Sequence, residues 1–162
     1  SAGIVHLFNH ALIKAGLFMA MGCIFLRIGS VQIDDMKGLA KVMPVTMAAF
    51  VAGGFGLIGV PLTAGFISKW YLLQAAIEKG WWPAIAAILI SSLLAIIYIW
   101  RVVETAYFQD RDENAPTISE APWSMLIPMW TLIGVSFYFG IHATQTMDVA
   151  IGAAEALLGG IQ

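Results

Sequence analysis

Four long apolar segments, separated by short polar connectors, constrain the fold of this chain more than any other feature of its sequence. They cover residues 2–26, 44–77, 82–108 and 123–141. A membrane-spanning helix needs about 20 apolar residues, so segments of this length predict membrane helices. Hydrophobic residues make up 60% of the chain and charged residues only 11%, against roughly 25% charged residues in soluble domains. This composition argues against a water-soluble core.

We therefore predict an all-α polytopic membrane protein with about four transmembrane helices, of which the second is discontinuous. Residues 1–143 form the predicted transmembrane domain, and residues 144–162, which glycines interrupt, form a short C-terminal tail. The chain begins at Ser1, and no signal peptide is recognisable before the first apolar segment. We expect it to be a piece of a longer polypeptide.

Lysine and arginine predict the orientation, because cytoplasmic loops of membrane proteins carry an excess of both. Five of the eight lie in or beside the two long connectors, and only one lies on the opposite side. We expect a multi-pass location in the cell inner or plasma membrane, with both long connectors in the cytoplasm and both chain ends on the outer face. The five are Arg27, Lys37, Lys41, Arg101 and Arg111, and the one on the opposite side is Lys79.

The two remaining lysines lie inside apolar segments, Lys14 in the first and Lys69 in the second. A cation at the centre of a membrane helix costs roughly 2.5–3.5 kcal/mol on insertion scales, and such charges mark ion or proton paths. His6, His10 and Lys14 recur every four residues, so on a helix they share one face. We predict a proton relay. Packing, metal-binding or haem-binding roles remain open for the histidines, although the neighbouring lysine disfavours the last two.

The second segment would measure about 50 Å as one helix, which exceeds the bilayer core of about 30 Å. Its interior contains Gly59, Pro61 and Gly65, which predict two half-helices around unwound backbone at residues 59–65. Broken helices mark the ion site in transporters, and Lys69 follows the break by one turn. The alternative is a pair of ordinary short helices with a lysine near one end.

The third segment ends with Arg101 and Glu104, which are three residues apart and predict an ion pair at the membrane interface. Ser91 and Ser92 are predicted to be helix-packing residues. No nucleotide loop, flavin motif or cysteine cluster occurs, so we expect this chain to bind no cofactor and no metal. No basic run suggests nucleic acid as a partner.

Two motifs are specific enough to indicate a family. The first segment contains HLFNHALIKAGLFMAMG, which resembles the H-x-x-x-H-A-x-x-K-x-x-L-F signature of antiporter-like subunits. These subunits are shared by respiratory complex I, membrane-bound hydrogenases and Mrp-type cation/proton antiporters. The second segment contains MPVTMAAFVAGGFGLIGVPLTAGFISKWYLL, which looks like the next, discontinuous helix of the same proteins. The segments GVPLTAGFISKWYL and SSLLAIIYIWRVVETAYF look more similar to the D subunit of Mrp antiporters than to a complex I subunit.

The resemblance implies that the chain corresponds to the end of a subunit of roughly fourteen helices, which contains two inverted five-helix repeats. By position, Lys14 matches the family's central-axis lysine, and His10 and His6 match its neighbouring histidines. Lys69 matches the titratable residue of the broken helix. The first repeat, with its membrane glutamate and its own broken-helix lysine, has no counterpart in this sequence.

The function implied by the resemblance is proton translocation within a multisubunit Na+/proton antiporter. The expected partners are other membrane subunits, the N-terminal half of the same subunit, protons, Na+ and the lipid bilayer. One alternative is a proton-pumping membrane-arm subunit of a complex I-like NADH:quinone oxidoreductase or a membrane-bound hydrogenase, in which other subunits would carry the redox catalysis. An alternative of another class is a haem-bearing or structural membrane anchor.

Overall fold

A computed structural model of the chain describes residues 2–159, with side chains described for residues 2–156. The described residues form seven α-helices joined by short connections. A 3-10 turn, Ile33–Met36, lies in the first connector, and a π-helical turn, Glu104–Phe108, continues the fifth helix. The helices are α1 (Ala2–Ile28), α2 (Leu39–Val42), α3 (Pro44–Ile58), α4 (Ala64–Glu78), α5 (Trp82–Val103), α6 (Trp123–Ile141) and α7 (Ala143–Gly159).

Three of these helices are long and apolar enough to cross a membrane by length and composition, namely α1, α5 with its π-helical turn, and α6. The second apolar segment is divided between α3 and α4, which have 15 residues each. A helix of that length measures about 22 Å, which is too short to cross the bilayer core alone. The all-helical architecture with a discontinuous second segment confirms the predicted fold class.

The central helix is α1, which packs against α3, α4, α6 and α7. Its buried residues recur at helical spacing and so form one face, which includes Gly16. A Cβ atom on Gly16 would lie 2.9 Å from the side chain of Ile133 in α6, so the small residue permits this close helix approach. By contrast, only 11% of the most apolar stretch of α5 is buried within the described residues. Most of the surface of α5 is therefore available to contact lipid or another subunit.

Glu120, in the connector before α6, ties α3 to α1. Its carboxylate accepts hydrogen bonds from the backbone N–H groups of Val45 and Thr46, at 2.8 and 3.3 Å, and from the hydroxyl of Thr46. A carboxylate at this place satisfies the unpaired donors of the first helical turn and complements the helix dipole. Arg27, at the end of α1, donates to the carbonyl oxygen of Glu120 at 2.7 Å. These hydrogen bonds therefore join α1, α3 and the connector before α6 at one end of the helix bundle.

The break between α3 and α4 begins at Gly59, which ends α3 in the left-handed conformation with φ of 91°. Glycine adopts this conformation without the steric penalty of other residues. Pro61 lies within the break, and Thr63 starts the next helix. The Thr63 hydroxyl accepts a hydrogen bond from the N–H of Phe66 at 3.2 Å and donates to the carbonyl oxygen of Val60 at 2.7 Å. Thr63 is thus an N-cap that fixes where the chain becomes helical again.

Gly65, predicted to lie within the unwound backbone, instead belongs to the first turn of α4. The break is shorter than predicted because the Thr63 cap starts α4 early. A Cβ atom on Gly65 would overlap the carbonyl oxygen of Gly56 in α3, so glycine is needed there for a close helix crossing. Gly140 of α6 covers the other side of the break, where the backbone of Leu62 has a positive φ of 77°.

The segment predicted as a tail forms helix α7 as far as Gly159, and residues 160–162 lie outside the described residues, as does Ser1. Helix α7 packs against α1 and α6, and Ala150 is buried. The sequence does not reveal this tertiary contact, so the helix was not predicted.

Candidate functional site

A cavity of about 290 Å³ lies among α1, α3, α4 and α5, and it brings together the four residues predicted as a proton relay. His6, His10 and Lys14 line the cavity from α1, and Lys69 lines it from α4. All four side chains are partly buried. A water molecule takes about 30 Å³ of liquid volume, so the cavity has room for several. Residues that are far apart in sequence therefore share one space that water can fill.

The three residues on α1 that are predicted to form a relay follow one face of the helix, as their spacing predicts. The rings of His6 and His10 are stacked, with centroids 5.6 Å apart and an angle of 28° between their planes. Lys14 lines both the cavity and an apolar groove beside it. Within the part of the chain that the structure describes, no group of three or more His, Cys, Asp or Glu residues could hold a metal ion.

A hydrogen bond joins this histidine pair to the helix that carries Lys69. The Nδ1 atom of His6 lies 3.1 Å from the Oγ atom of Ser68, which is fully buried. Ser68 Oγ also lies 3.1 Å from the carbonyl oxygen of Gly65. A serine hydroxyl has one proton, so when Ser68 donates it to the carbonyl, Nδ1 of His6 must carry a proton to complete the contact. When Ser68 donates to the carbonyl, the contact thereby selects the tautomer of His6 that carries a proton on Nδ1.

Lys69 makes the most specific contacts in the cavity. Its Nζ atom donates to the carbonyl oxygens of Leu57 and Ile58, at 2.8 and 3.1 Å, and to the Oγ atom of Ser92 at 2.8 Å. Leu57 and Ile58 are the last two residues of α3, where the carbonyl groups of a helix have no partners within the helix. Lys69 therefore caps the end of the half-helix that precedes it.

The cavity has basic groups but no acidic ones. Its lining contains two lysines and two histidines and no aspartate or glutamate. The negative end of a helix dipole, equivalent to about half an elementary charge, stabilises cations placed near it. Helix α3 ends in this way beside Lys69. The broken helix thus supplies the partial negative charge that a carboxylate supplies in many other buried lysine sites.

Asn9, which was not predicted to belong to the site, lies between the two histidines in sequence and is fully buried. Its Nδ2 atom donates to the carbonyl oxygen of Ala64 at 3.0 Å, which joins α1 to the first residue of α4. Its Oδ1 atom is buried and has no hydrogen-bond partner among the described residues. A polar amide within an apolar segment was the available signal. The contacts of Ser68 with His6 and of Ser92 with Lys69 were not predicted, because serine in a membrane helix is usually a packing residue.

The predicted interface ion pair between Arg101 and Glu104 does not form between these two described side chains. Both side chains are exposed, where an ion pair gains little because water solvates each charge. The ion pair that the described residues do contain joins Lys41 to Asp110 at 2.8 Å, between the two long connectors. Hydrogen bonding and the nearby charge of Lys41 lower the pKa of the Asp110 carboxyl.

Similarity to known proteins in sequence and in structure indicates the family of this chain. The model of the NADH:quinone oxidoreductase/Mrp antiporter transmembrane family matches residues 1–95. That match includes α1, both halves of the broken helix and the first turns of α5. It therefore includes all four of the predicted relay residues.

Individual proteins show similarity over most of the chain. NADH-quinone oxidoreductase subunit N of Desulforudis audaxviator is 39% identical in an alignment of 145 positions, which covers 82% of this chain and 29% of that protein. A Staphylococcus aureus protein named as a proposed antiporter subunit, mnhD2, is 29% identical over 96% of this chain and 31% of its own length. A chain in the Mrp complex of Dietzia sp. DQ12-45-1b superposes with a TM-score of 0.84 at 24% identity, over 95% of this chain and 37% of that one. The chain thus spans about a third of the length of these proteins.

Proposed function

The chain belongs to the NADH:quinone oxidoreductase/Mrp antiporter transmembrane family, and on that premise we propose that it translocates protons within a multisubunit Na+/proton antiporter. It is an antiporter-like multi-pass membrane subunit of the type found in Mrp and complex I-like assemblies. Its partners in the proposed antiporter are other membrane subunits and the rest of the same subunit.

The observation that carries the proposal is the environment of Lys69. Its ammonium group is held by the carbonyl end of α3 and lies on a cavity that it shares with His6, His10 and Lys14. Ionisable residues at membrane depth are expensive and mark proton or ion paths when they face a cavity. A lysine with a purely structural role needs only the carbonyl contacts and has no need of three further basic groups on the same cavity.

The proposed relay uses water in the cavity between side chains that do not touch. Lys69 releases a proton to this water, and the stacked histidines accept and return protons because imidazole titrates near neutral pH. His6 is in addition coupled to the α4 backbone through Ser68. A positive charge that arrives at Lys14 repels the ammonium of Lys69, because no carboxylate lines the cavity to offset it. Charge at one end of the relay thus favours proton release at the other.

We also propose the orientation implied by the distribution of lysine and arginine. The two long connectors, which Lys41 and Asp110 link, face the cytoplasm, and the turn containing Lys79 faces the outside. Both chain ends then lie on the outer face. A cysteine introduced at Lys79 should react with a membrane-impermeant maleimide in intact cells, whereas one introduced at Asp110 should react only after the membrane is opened.

The test of the antiporter assignment uses inverted membrane vesicles that contain the native assembly and a pH-sensitive dye. Addition of Na+ without redox fuel should move protons, whereas addition of NADH should produce no movement that depends on this subunit. Dependence is judged against vesicles from a strain that lacks it.

The second candidate is a proton-pumping subunit of a complex I-like enzyme, and the 39% identity to an oxidoreductase subunit favours it. In that enzyme, electron transfer in other subunits would drive the same relay. A response to NADH alone in the vesicle experiment would reject the antiporter and favour this candidate.

A further inference from the structure

The three oxygen atoms around the Lys69 ammonium form a small cage with the chemistry of a cation site. Two are backbone carbonyls at the end of α3, those of Leu57 and Ile58, and one is the hydroxyl of Ser92 on α5. The cage is thus assembled from the end of α3, on one side of the helix break, and from the neighbouring helix α5. In transporters, the C-terminal ends of half-helices and unwound carbonyls coordinate Na+.

We propose that this cage is a monovalent-cation site, which Na+ occupies when Lys69 has lost its proton and its side chain has moved into the adjacent cavity. The inference rests on the proposed function and deepens it, because it makes Lys69 and Na+ competitors for the same oxygens. The side chain of Lys69 already lines the cavity of about 290 Å³, so it has space to move.

The absence of a side chain at Gly59 leaves room for this movement of the Lys69 side chain. A Cβ atom at this position would lie 3.2 Å from Cδ and 3.8 Å from Nζ of Lys69. The residue also has a φ of 91°, which favours glycine. A larger residue at position 59 would confine the lysine to the cage.

The chemistry of the lining favours a monovalent ion over a divalent one. Ca2+ and Mg2+ sites are built around carboxylates, and the cavity lining contains none. The remaining groups that face Lys69 are basic or neutral: His6, His10 and Lys14 from α1 and Tyr98 from α5. Three neutral oxygens leave further coordination positions for water, for which the cavity has room.

The exchange of the Lys69 ammonium for Na+ in the cage balances in charge and in protons. The N–H bond of the Lys69 ammonium breaks, the proton passes to cavity water, and the neutral amine leaves the cage. A cation with one positive charge then replaces an ammonium with one positive charge, so the net charge near the α3 terminus is unchanged. Both cations cannot occupy the cage together, because their repulsion is strong at this distance in a medium of low dielectric constant. The site therefore exchanges one proton for one cation.

The test measures saturable binding of radioactive 22Na+ to the detergent-purified native assembly across a range of pH. Below the pH at which Lys69 titrates, the apparent affinity for Na+ should rise about tenfold per pH unit, which is the slope of a one-proton competition. Lys69→Met should remove this pH dependence while binding persists. Ser92→Ala should weaken binding about tenfold, since it removes one of the three oxygen ligands.

Ser91→Ala is the matched control. Ser91 lines the same cavity, but its hydroxyl donates to the carbonyl oxygen of Ile88 and not to the cage, so its loss should leave 22Na+ binding unchanged. Binding that is independent of pH, or equally affected by Ser91→Ala and Ser92→Ala, would overturn the inference. Loss of the cation site alone would leave the proposed proton relay standing, because proton movement in Lys69→Ala is measured separately.

Discussion

Gly140→Ala should destabilise the protein by forcing α6 away from the helix break. A Cβ atom at this position would lie less than 3.0 Å from three backbone atoms of the break, which belong to Leu62, Thr63 and Ala64. Backbone cannot rotate out of the way as a side chain can, and Thr63 is fixed by its capping hydrogen bonds. Overpacking of this kind costs about 1–3 kcal/mol.

Gly134→Ala in the same helix is the matched control, because a Cβ atom there meets nothing within 4 Å. Both substitutions replace glycine with alanine inside α6, which by itself favours the helix by about 0.5–1 kcal/mol. The difference between the two variants therefore isolates the clash, and we expect it to be about 1–3 kcal/mol.

The assay is SDS-induced unfolding of the purified assembly, followed by helical circular dichroism, together with Na+-driven proton movement in vesicles. Gly140→Ala should unfold at lower SDS and should move protons more slowly, because displacement of the break also displaces Lys69. Gly134→Ala should unfold at the same or higher SDS with normal proton movement. If the two variants unfold at the same SDS concentration, α6 does not pack on the break as described.

Two further predictions concern the polar connectors. Glu120→Ala should destabilise the protein by about 1 kcal/mol, since it removes the acceptor for the first turn of α3, whereas Glu113→Ala at an exposed position should have little effect in the same SDS assay. Lys41→Met should raise the pKa of Asp110, measured by NMR titration of the carboxyl carbon, because the pKa is lowered by Lys41. Any stability from this pair is present above the ordinary pKa of aspartate and is lost as pH falls through the lowered value.

The helix break could be predicted from sequence because its cause is local. Gly59 and Pro61 disfavour a continuous helix wherever they occur, and the length of the apolar segment required an interruption. The true start of α4 depended on the Thr63 cap, whose effect on the boundary was not foreseen. The single stripe of His6, His10 and Lys14 was likewise predictable from helical periodicity alone.

The contacts of Lys69 could not be predicted, because they depend on how separate helices pack. Ser91 and Ser92 are adjacent and chemically identical, yet only Ser92 points to the ammonium. The helical rotation of α5 against α4 decides between them, and no sequence pattern in α5 fixes that rotation. Helix α7 was missed for a similar reason, since its stability comes from packing against α1 and α6.

Na+-driven proton movement in inverted vesicles that carry Lys69→Ala tests the proposed relay most directly. Lys79→Ala is its control, because Lys79 ends the same helix but is exposed and lies outside the cavity. Assembly of each variant is checked by its mobility on native gels. Proton movement should be abolished in Lys69→Ala and retained in Lys79→Ala. If the assembled Lys69→Ala protein moves protons at the unaltered rate, then Lys69 is not part of the proton path.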